Sequence, residues 1–432
     1  MRQSSLLLGL AWSLLPGLSA AVPHFTRSGV SIGAAAKENV ISISKYTNRS
    51  VKSLASPVRT RIAASKNGTA LGTVNTIFSD VYPVANLTWG NAPGISSPAQ
   101  QFISFLDTGS SDTWVVTQAL ECVEISTQIP LNQSACQFGP LYNLTQGEWT
   151  NITGLEFEIE YFPELEILNG DMAYASVSLA GITVEQQEVA LVDYAAWSGD
   201  GHSSGLVGLA YPAITSATNR TTGNQIEYSP LFTNMNYSVL APAGVIAVGG
   251  LVPEEYWEGN FTSVDIELTE NIGNVTQLTW YTTTHEFVFR DANNGTLRSA
   301  GTYQSIIDCG TAPNFVPTSA AYEVNAQFDP PATYNASLGY WTVDCNARAP
   351  YAAYVIGGVE MPMRPENMIV RSLNGLQGYE DVCFSAFADG GVPAIDGPMI
   401  IGEVWQLGYV IAFDQGNKMI HFAERSGYSQ YY

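Results

Sequence analysis

Two short runs of this 432-residue chain place an acid, a small residue, a glycine and a hydroxyl in the same order: Asp107-Thr108-Gly109-Ser110 and, in the other half, Asp308-Cys309-Gly310-Thr311. Each follows an apolar strand pattern, Phe102-Ile103-Ser104-Phe105-Leu106 and Tyr303-Gln304-Ser305-Ile306-Ile307, which predicts a carboxyl at a strand end facing a turn. Two carboxyls forced close together cannot both ionise easily, so they share one proton. Such a pair can act as base toward water and as acid toward a carbonyl oxygen or leaving nitrogen, with no metal and no covalent nucleophile. Gly109 and Gly310 let backbone N–H groups come close to the acids. Ser110 and Thr311 can donate to the outer carboxylate oxygens. Two half-sites on two similar halves suggest that Asp107 and Asp308 meet at a pseudo-twofold axis, with the proton belonging to the pair rather than to either acid.

The elements that must position these acids read as β-structure. From about residue 75 the chain shows short alternating strands broken by Gly, Pro, Asn and Ser, which predicts a largely antiparallel protein. Phe157–Tyr161, Ala175–Leu179 and Val264–Leu268 are examples, and the best of few helical signals is Pro317–Val324. Gly357-Gly358 and Gly390-Gly391 read as hairpin turns. With 46% apolar residues the chain can bury two cores, and no low-complexity linker separates them.

The chain resembles the pepsin-type aspartic proteases, and the resemblance spans most of its length. Beside the two acidic loops it rests on Tyr161 in an alternating strand and on Ser204-Gly205-Leu206-Val207-Gly208-Leu209-Ala210-Tyr211-Pro212. In the second half it rests on Met399-Ile400-Ile401-Gly402-Glu403, followed by Phe413-Asp414. Gly249-Gly250, with Tyr256 just beyond, is similar to the family's crossing between lobes. The resemblance implies an all-β, mainly antiparallel, bilobal fold with a few short helices. Its N-terminal lobe would cover residues 71–250 and carry Asp107, and its C-terminal lobe residues 251–432 and carry Asp308. It further implies Asp107 and Asp308 as the catalytic acids of an endopeptidase, a substrate lying extended in the interlobe cleft, and no cofactor or metal. Thr108 fits the threonine that bonds across to the opposite loop. Cys309 departs from it, and a thiol is the weaker donor, so one of two cross-lobe bonds is expected to be weakened or lost; a small buried thiol is favoured over a redox or metal role. Tyr161 resembles the flap tyrosine that closes over substrate, and Trp114 the tryptophan supporting it, though either residue could equally be ordinary packing. The run Phe162-Pro163-Glu164-Leu165-Glu166-Ile167-Leu168-Asn169-Gly170 departs from a Gly-rich flap tip and suggests a stiffer one. The pairings implied are Cys122–Cys136 and Cys345–Cys383, leaving Cys309 free; spacing alone does not establish them.

Charge and the two ends of the sequence bound the setting. There are 17 Lys plus Arg against 39 Asp plus Glu, which argues against a nucleic-acid partner. Residues 21–66 hold eight of the bases and one acid, Glu38, so a basic arm precedes an acidic body. Residues 1–20, with a basic start, a short apolar run and a small-residue end, read as a signal peptide too short to span a membrane. Residues 21–70 read as a propeptide, in competition with a merely disordered extension. Such a cationic arm would be held by carboxylates and loosened as acid neutralises them; Lys52 or Lys66 could cover the acids, and Arg59-Thr60-Arg61 or Lys66 could mark processing. Sequons at Asn48, Asn67, Asn86, Asn132, Asn143, Asn151, Asn219, Asn236, Asn260, Asn274, Asn294 and Asn335 imply heavy N-glycosylation on a secreted or vacuolar route. The expectation is a soluble monomeric zymogen whose partners are peptide substrates and its own propeptide. The four histidines form no His-x-x-x-His, and Gly201-His202-Ser203-Ser204-Gly205 reads as a loop rather than a serine-hydrolase elbow. The alternatives are a weak or inactive member of the same fold acting as a binding or inhibitor-like glycoprotein, and a glycan-binding protein.

Overall fold

The computed structural model describes residues 83–90, 97–161, 166–223 apart from 180–181, residue 225, 251–269 apart from 253, 278–291, 295–370 apart from 337–338, 382–393 and 398–426, with the backbone of strands Val40–Ser42, Val239–Ala241 and Val245–Ala247. The expected signal peptide, nearly all of the expected propeptide, the flap tip 162–165, Gly249-Gly250 and the sequons Asn48, Asn67, Asn236, Asn274 and Asn294 lie outside the described residues. All described residues belong to one compact unit.

Apolar residues alternating with polar ones place one face of each strand in a core, and the chain builds two large sheets this way. The first sheet takes its shape from β1 (Val84–Trp89), β2 (Gln100–Asp107), β3 (Thr113–Val123), β4 (Trp149–Tyr161), β5 (Glu166–Leu179), β6 (Ile182–Ala196) and β7 (Ser203–Gly208). Its central order runs β4-β5-β1-β2-β7-β3, with β6 pairing β3 and β5. The second sheet is built on β8 (Thr282–Arg290), β9 (Leu297–Ile307), β10 (Asn314–Val316), β11 (Phe387–Asp389) and β12 (Met399–Ile401), in the order β8-β9-β12-β10-β11. A four-stranded sheet contains β13 (Tyr409–Asp414) and β14 (Met419–Arg425). Helices are short: α1 (Thr318–Asn325) and α2 (Glu403–Gln406).

The two large sheets repeat one device. Strand β2 pairs in parallel with β7, bringing Asp107 opposite Gly208, and β9 pairs in parallel with β12, bringing Ile307 opposite Ile401. The backbone bond Leu106 N–H to Pro83 O, at 3.0 Å, has its counterpart in Ile307 N–H to Tyr281 O, also 3.0 Å. Each acid therefore stands at the end of a central strand whose neighbours are fixed on both sides.

Several local expectations need correction. Val264–Leu268 is strand only as far as Asp265, where the pairing with β14 ends. Gly390-Gly391 is not a hairpin turn, because β11 pairs in parallel with β10 and the chain leaves it by a longer connection. Gly357-Gly358 does form a two-residue hairpin turn between Ile356 and Val359, both glycines having positive φ, as that turn requires. Ser203–Gly208 is a strand rather than a loop, entered from a turn and followed by no α-helix, only a single 3-10 turn at Pro212–Ile214. The serine-hydrolase elbow is therefore absent there: Ser203 donates its hydroxyl to Asp200 at 2.8 Å. Of the run expected to form a flap tip, Glu166–Gly170 instead belongs to β5, and Tyr161 pairs with Glu166. Glu166 is buried and accepts the Ser198 N–H.

Two disulfides join Cys122 to Cys136 and Cys345 to Cys383, and Cys309 is free and buried. Closing the shorter loop contributes about 3 kcal/mol in the chain-entropy picture. Of the seven sequon asparagines within the described residues, Asn132, Asn151 and Asn260 are exposed and the other four half-buried.

Candidate active site

The turn after each acid organises that acid by short-range bonds. Gly109 N–H donates to Asp107 Oδ1 at 2.7 Å and the Ser110 hydroxyl donates to Asp107 Oδ2. In the second half Gly310 N–H donates to Asp308 Oδ1 at 2.7 Å and Thr311 Oγ1 to Asp308 Oδ2 at 2.6 Å. Both acids are 6% exposed, so these four donors replace most of their water.

The halves interlock through their glycines. A Cβ on Gly109 would stand 2.5 Å from Asp308 Oδ2, and one on Gly310 would stand 2.5 Å from Asp107 Cγ and closer still to its oxygen. No other residue type leaves room for the facing carboxyl. Burial, the Asp107 charge and a hydrogen bond shared with Asp107 hold the Asp308 carboxyl well above the ordinary carboxylate range, against the Thr311 hydroxyl and Gly310 N–H, which pull it down. The pair thus retains a proton where isolated carboxyls would both have lost theirs.

Beneath the acids, Thr108 Oγ1 donates to Ile307 O at 2.9 Å and accepts the Cys309 N–H at 2.9 Å. The Cys309 thiol donates to Leu106 O at 3.3 Å. The second cross-connection is therefore made, over a longer distance, as expected of sulfur. Burial, with Glu403 and Asp308 nearby, pushes the thiol well above its ordinary pKa, so it keeps the hydrogen that it donates. Replacing it by a hydroxyl shortens one cross-half bond at nearly constant volume. Cys309→Thr is expected to raise the thermal midpoint by about 1–3 °C, read by calorimetry; a fall would show that packing around sulfur outweighs the bond.

Tyr161 ends β4 with its hydroxyl accepting the Trp114 indole N–H at 2.9 Å. Burial and the Asp107 charge raise this phenol well above its usual range, against the Trp114 and Ser110 donors, which pull it down. The two aromatic residues expected to act together are thus joined, beside the first acid. Sequence reasoning missed what holds them. Trp197 packs edge-on against Trp114 and Tyr161, with centroids 5.7 and 5.8 Å apart, and stacks on Phe138 at 5.7 Å. Trp280 was missed as well: its indole donates to Gly109 O at 2.7 Å. Neither belongs to a motif, and only the proximity of distant segments identifies them.

Among the described residues no group of His, Cys, Asp and Glu is arranged to hold a metal ion. His285 is buried, bonded to Ser305 at 2.7 Å and held down to about 3 by burial, so it is a neutral core residue.

Two similar sheets, each ending a central strand in an Asp-x-Gly-hydroxyl turn, define the bilobal fold of the aspartic proteinases. The aspartic proteinase of Irpex lacteus superposes with a TM-score of 0.58 at 16% identity, covering 80% of this chain and 95% of that one. The eukaryotic aspartyl protease family matches residues 92–425. A probable aspartic-type endopeptidase of Aspergillus fumigatus is 35% identical over 77% of this chain and 78% of its own length. Pepsin A of Rhinolophus ferrumequinum is 25% identical over 76% and 79% respectively. The chain belongs to the eukaryotic aspartyl protease family and is an aspartic-type endopeptidase, a hydrolase of peptide bonds. Among the described residues no helix is long and apolar enough to cross a membrane.

Proposed function

We propose that the chain is a secreted endopeptidase acting at acidic pH, with Asp107 and Asp308 as a proton-sharing pair that holds the attacking water. The observation that carries this reading is the mutual burial of the two carboxyls, each against the other's glycine. The ionised member takes a proton from water as it attacks the scissile carbonyl, and the protonated member gives its proton to the developing oxyanion; the proton then passes to the leaving nitrogen. The raised Asp308 carboxyl supports an active form that persists above the ordinary carboxylate range. An extended peptide lies between the lobes, its backbone hydrogen-bonded and its side chains selecting the site. Tyr161, held by Trp114, closes over it and excludes water.

The basic segment 21–70 preceding an acidic body supports synthesis as a precursor, the arm lying on carboxylates that acid neutralises. The signal-like residues 1–20 and the sequons support a secretory route with N-glycosylation at the twelve asparagines named above. Acid-treated, processed protein is expected to cleave a denatured protein between about pH 3 and 6 and to lose activity toward neutrality. Absence of cleavage over that range and over a broad peptide library would overturn the protease reading and leave the cleft as a binding site.

A further inference from the structure

The Asp107 loop is held from outside its own half, by an indole. Leu209 N–H donates to Asp107 O at 2.7 Å and Ala210 N–H to Ser110 O at 2.9 Å, so the segment following β7 supports both ends of the loop. The next residue of that segment, Tyr211, donates its N–H to Thr279 O at 3.1 Å. Tyr281, two residues on, donates its hydroxyl to Leu209 O at 2.6 Å, accepts Gln415 Nε2 at 2.6 Å and packs against Tyr211 and Phe413. Both neighbours of Trp280 are thereby fixed to the segment that carries the loop. Trp280 itself, half-buried, donates its indole N–H to Gly109 O at 2.7 Å. This closes a hydrogen-bonded circuit: loop, Leu209–Tyr211, Thr279–Tyr281, Trp280, and the loop again.

We infer that Trp280 is a positioning residue for the reaction, acting through the Gly109–Ser110 peptide on the carboxyl of Asp107. The carbonyl of Gly109 and the nitrogen of Ser110 share one rigid plane, so fixing the carbonyl fixes where the Ser110 side chain starts. The Ser110 hydroxyl bonds Asp107 Oδ2, and Gly109 N–H bonds Asp107 Oδ1. Without the indole donor the peptide plane is free to rock, and the Ser110 donor to Asp107 moves with it, while Gly109 N–H, on the preceding peptide plane, is disturbed only through the shared Cα. Misplacing a reacting group lowers turnover more than binding, because the substrate backbone and side chains are held elsewhere. The inference rests on the assignment of Asp107 to the catalytic pair.

The test compares Trp280→Phe, which keeps a ring and loses the N–H, with Trp280→Ala, which loses both. Kinetics are measured on a short peptide that the processed wild type cleaves, with thermal midpoints in parallel. Both variants are expected to lose kcat by a similar factor, about 3- to 10-fold, as removal of one hydrogen bond allows. For Trp280→Phe, KM stays within about twofold and the midpoint within about 2 °C. If Trp280→Phe retains wild-type kcat while Trp280→Ala alone is impaired, or if KM rises with kcat unchanged, Trp280 is only a wall of the cleft and the inference fails. A wild type that cleaves nothing fails the protease reading instead, which separates the two.

Discussion

Asp308→Asn and Asp107→Asn should each reduce kcat/KM by at least about 10⁴-fold, and the double variant should be no worse than either single one. General acid and general base each contribute a large factor, and residues that work as one proton-sharing unit are non-additive. The amide keeps the volume of the acid and one of its oxygens: in Asp308→Asn the Gly310 N–H can still donate to Oδ1, and the Thr311 hydroxyl, now facing the amide nitrogen, turns to accept from it. The same substitution makes a second, independent measurement possible. The folded protein holds a proton on the Asp107–Asp308 pair, with the Asp308 carboxyl raised, that the unfolded chain releases at about the ordinary 3.8. Folded-state pKa above unfolded means this group's stabilisation is full below 3.8 and is lost as pH rises toward the folded value. The amide cannot ionise and carries no such slope. Asp308→Asn is therefore expected to match the wild type's unfolding free energy near pH 3 and to exceed it at pH 7, by about 1–3 kcal/mol. His285 tilts stability the other way. Its pKa falls from 6.5 to about 3 on burial, so its contribution is full above 6.5 and lost as pH falls through that window. The two groups together confine greatest stability to a mildly acidic band. Equal stability of Asp308→Asn and wild type at every pH would show that the carboxyl is not held protonated.

Gly310→Ala should be strongly damaging, although it removes no functional group. The new methyl would lie against Asp107 Cγ and Oδ1. Neither neighbour can yield cheaply, because Asp107 is anchored by Gly109 N–H and Ser110. The outcome is a carboxyl displaced by the order of an ångström, which costs about 10²-fold or more in turnover. Gly416→Ala is the control, since its Cβ meets nothing closer than 3.5 Å and its φ is ordinary. The measurement is kcat/KM of both variants beside their thermal unfolding. Retained activity in Gly310→Ala would mean that the carboxyl of Asp107 does not need the place it occupies.

Much of this was legible in the residues themselves where the determining interactions are local. Gly357-Gly358 sits between two apolar runs and forms the turn that such a pair dictates, while Gly390-Gly391 looks the same and does not. The difference is the pairing partner: β11 finds a parallel neighbour that no short-range pattern announces. Ser203 reads as part of a polar loop, yet joins a strand because β2 and β3 both pair with that segment. At the flap, Glu166 reads as part of an acidic tip but is buried and bonded to Ser198.

The sequence by itself determined the chemistry of each half-site. An acid, a glycine two residues on and a hydroxyl three residues on bond one another within a single turn, whatever surrounds them. It also determined strands with buried and exposed faces, because that depends on alternation along the chain. Only the tertiary structure decided that the two turns face each other, that Cys309 still reaches Leu106 O, that Trp197 backs Tyr161, and that Trp280 holds Gly109. It also decided that the pair keeps a proton with the Asp308 carboxyl raised, because desolvation and the field of a second carboxylate depend on what folding brings near, and residues hundreds of positions apart carry no local sign of it.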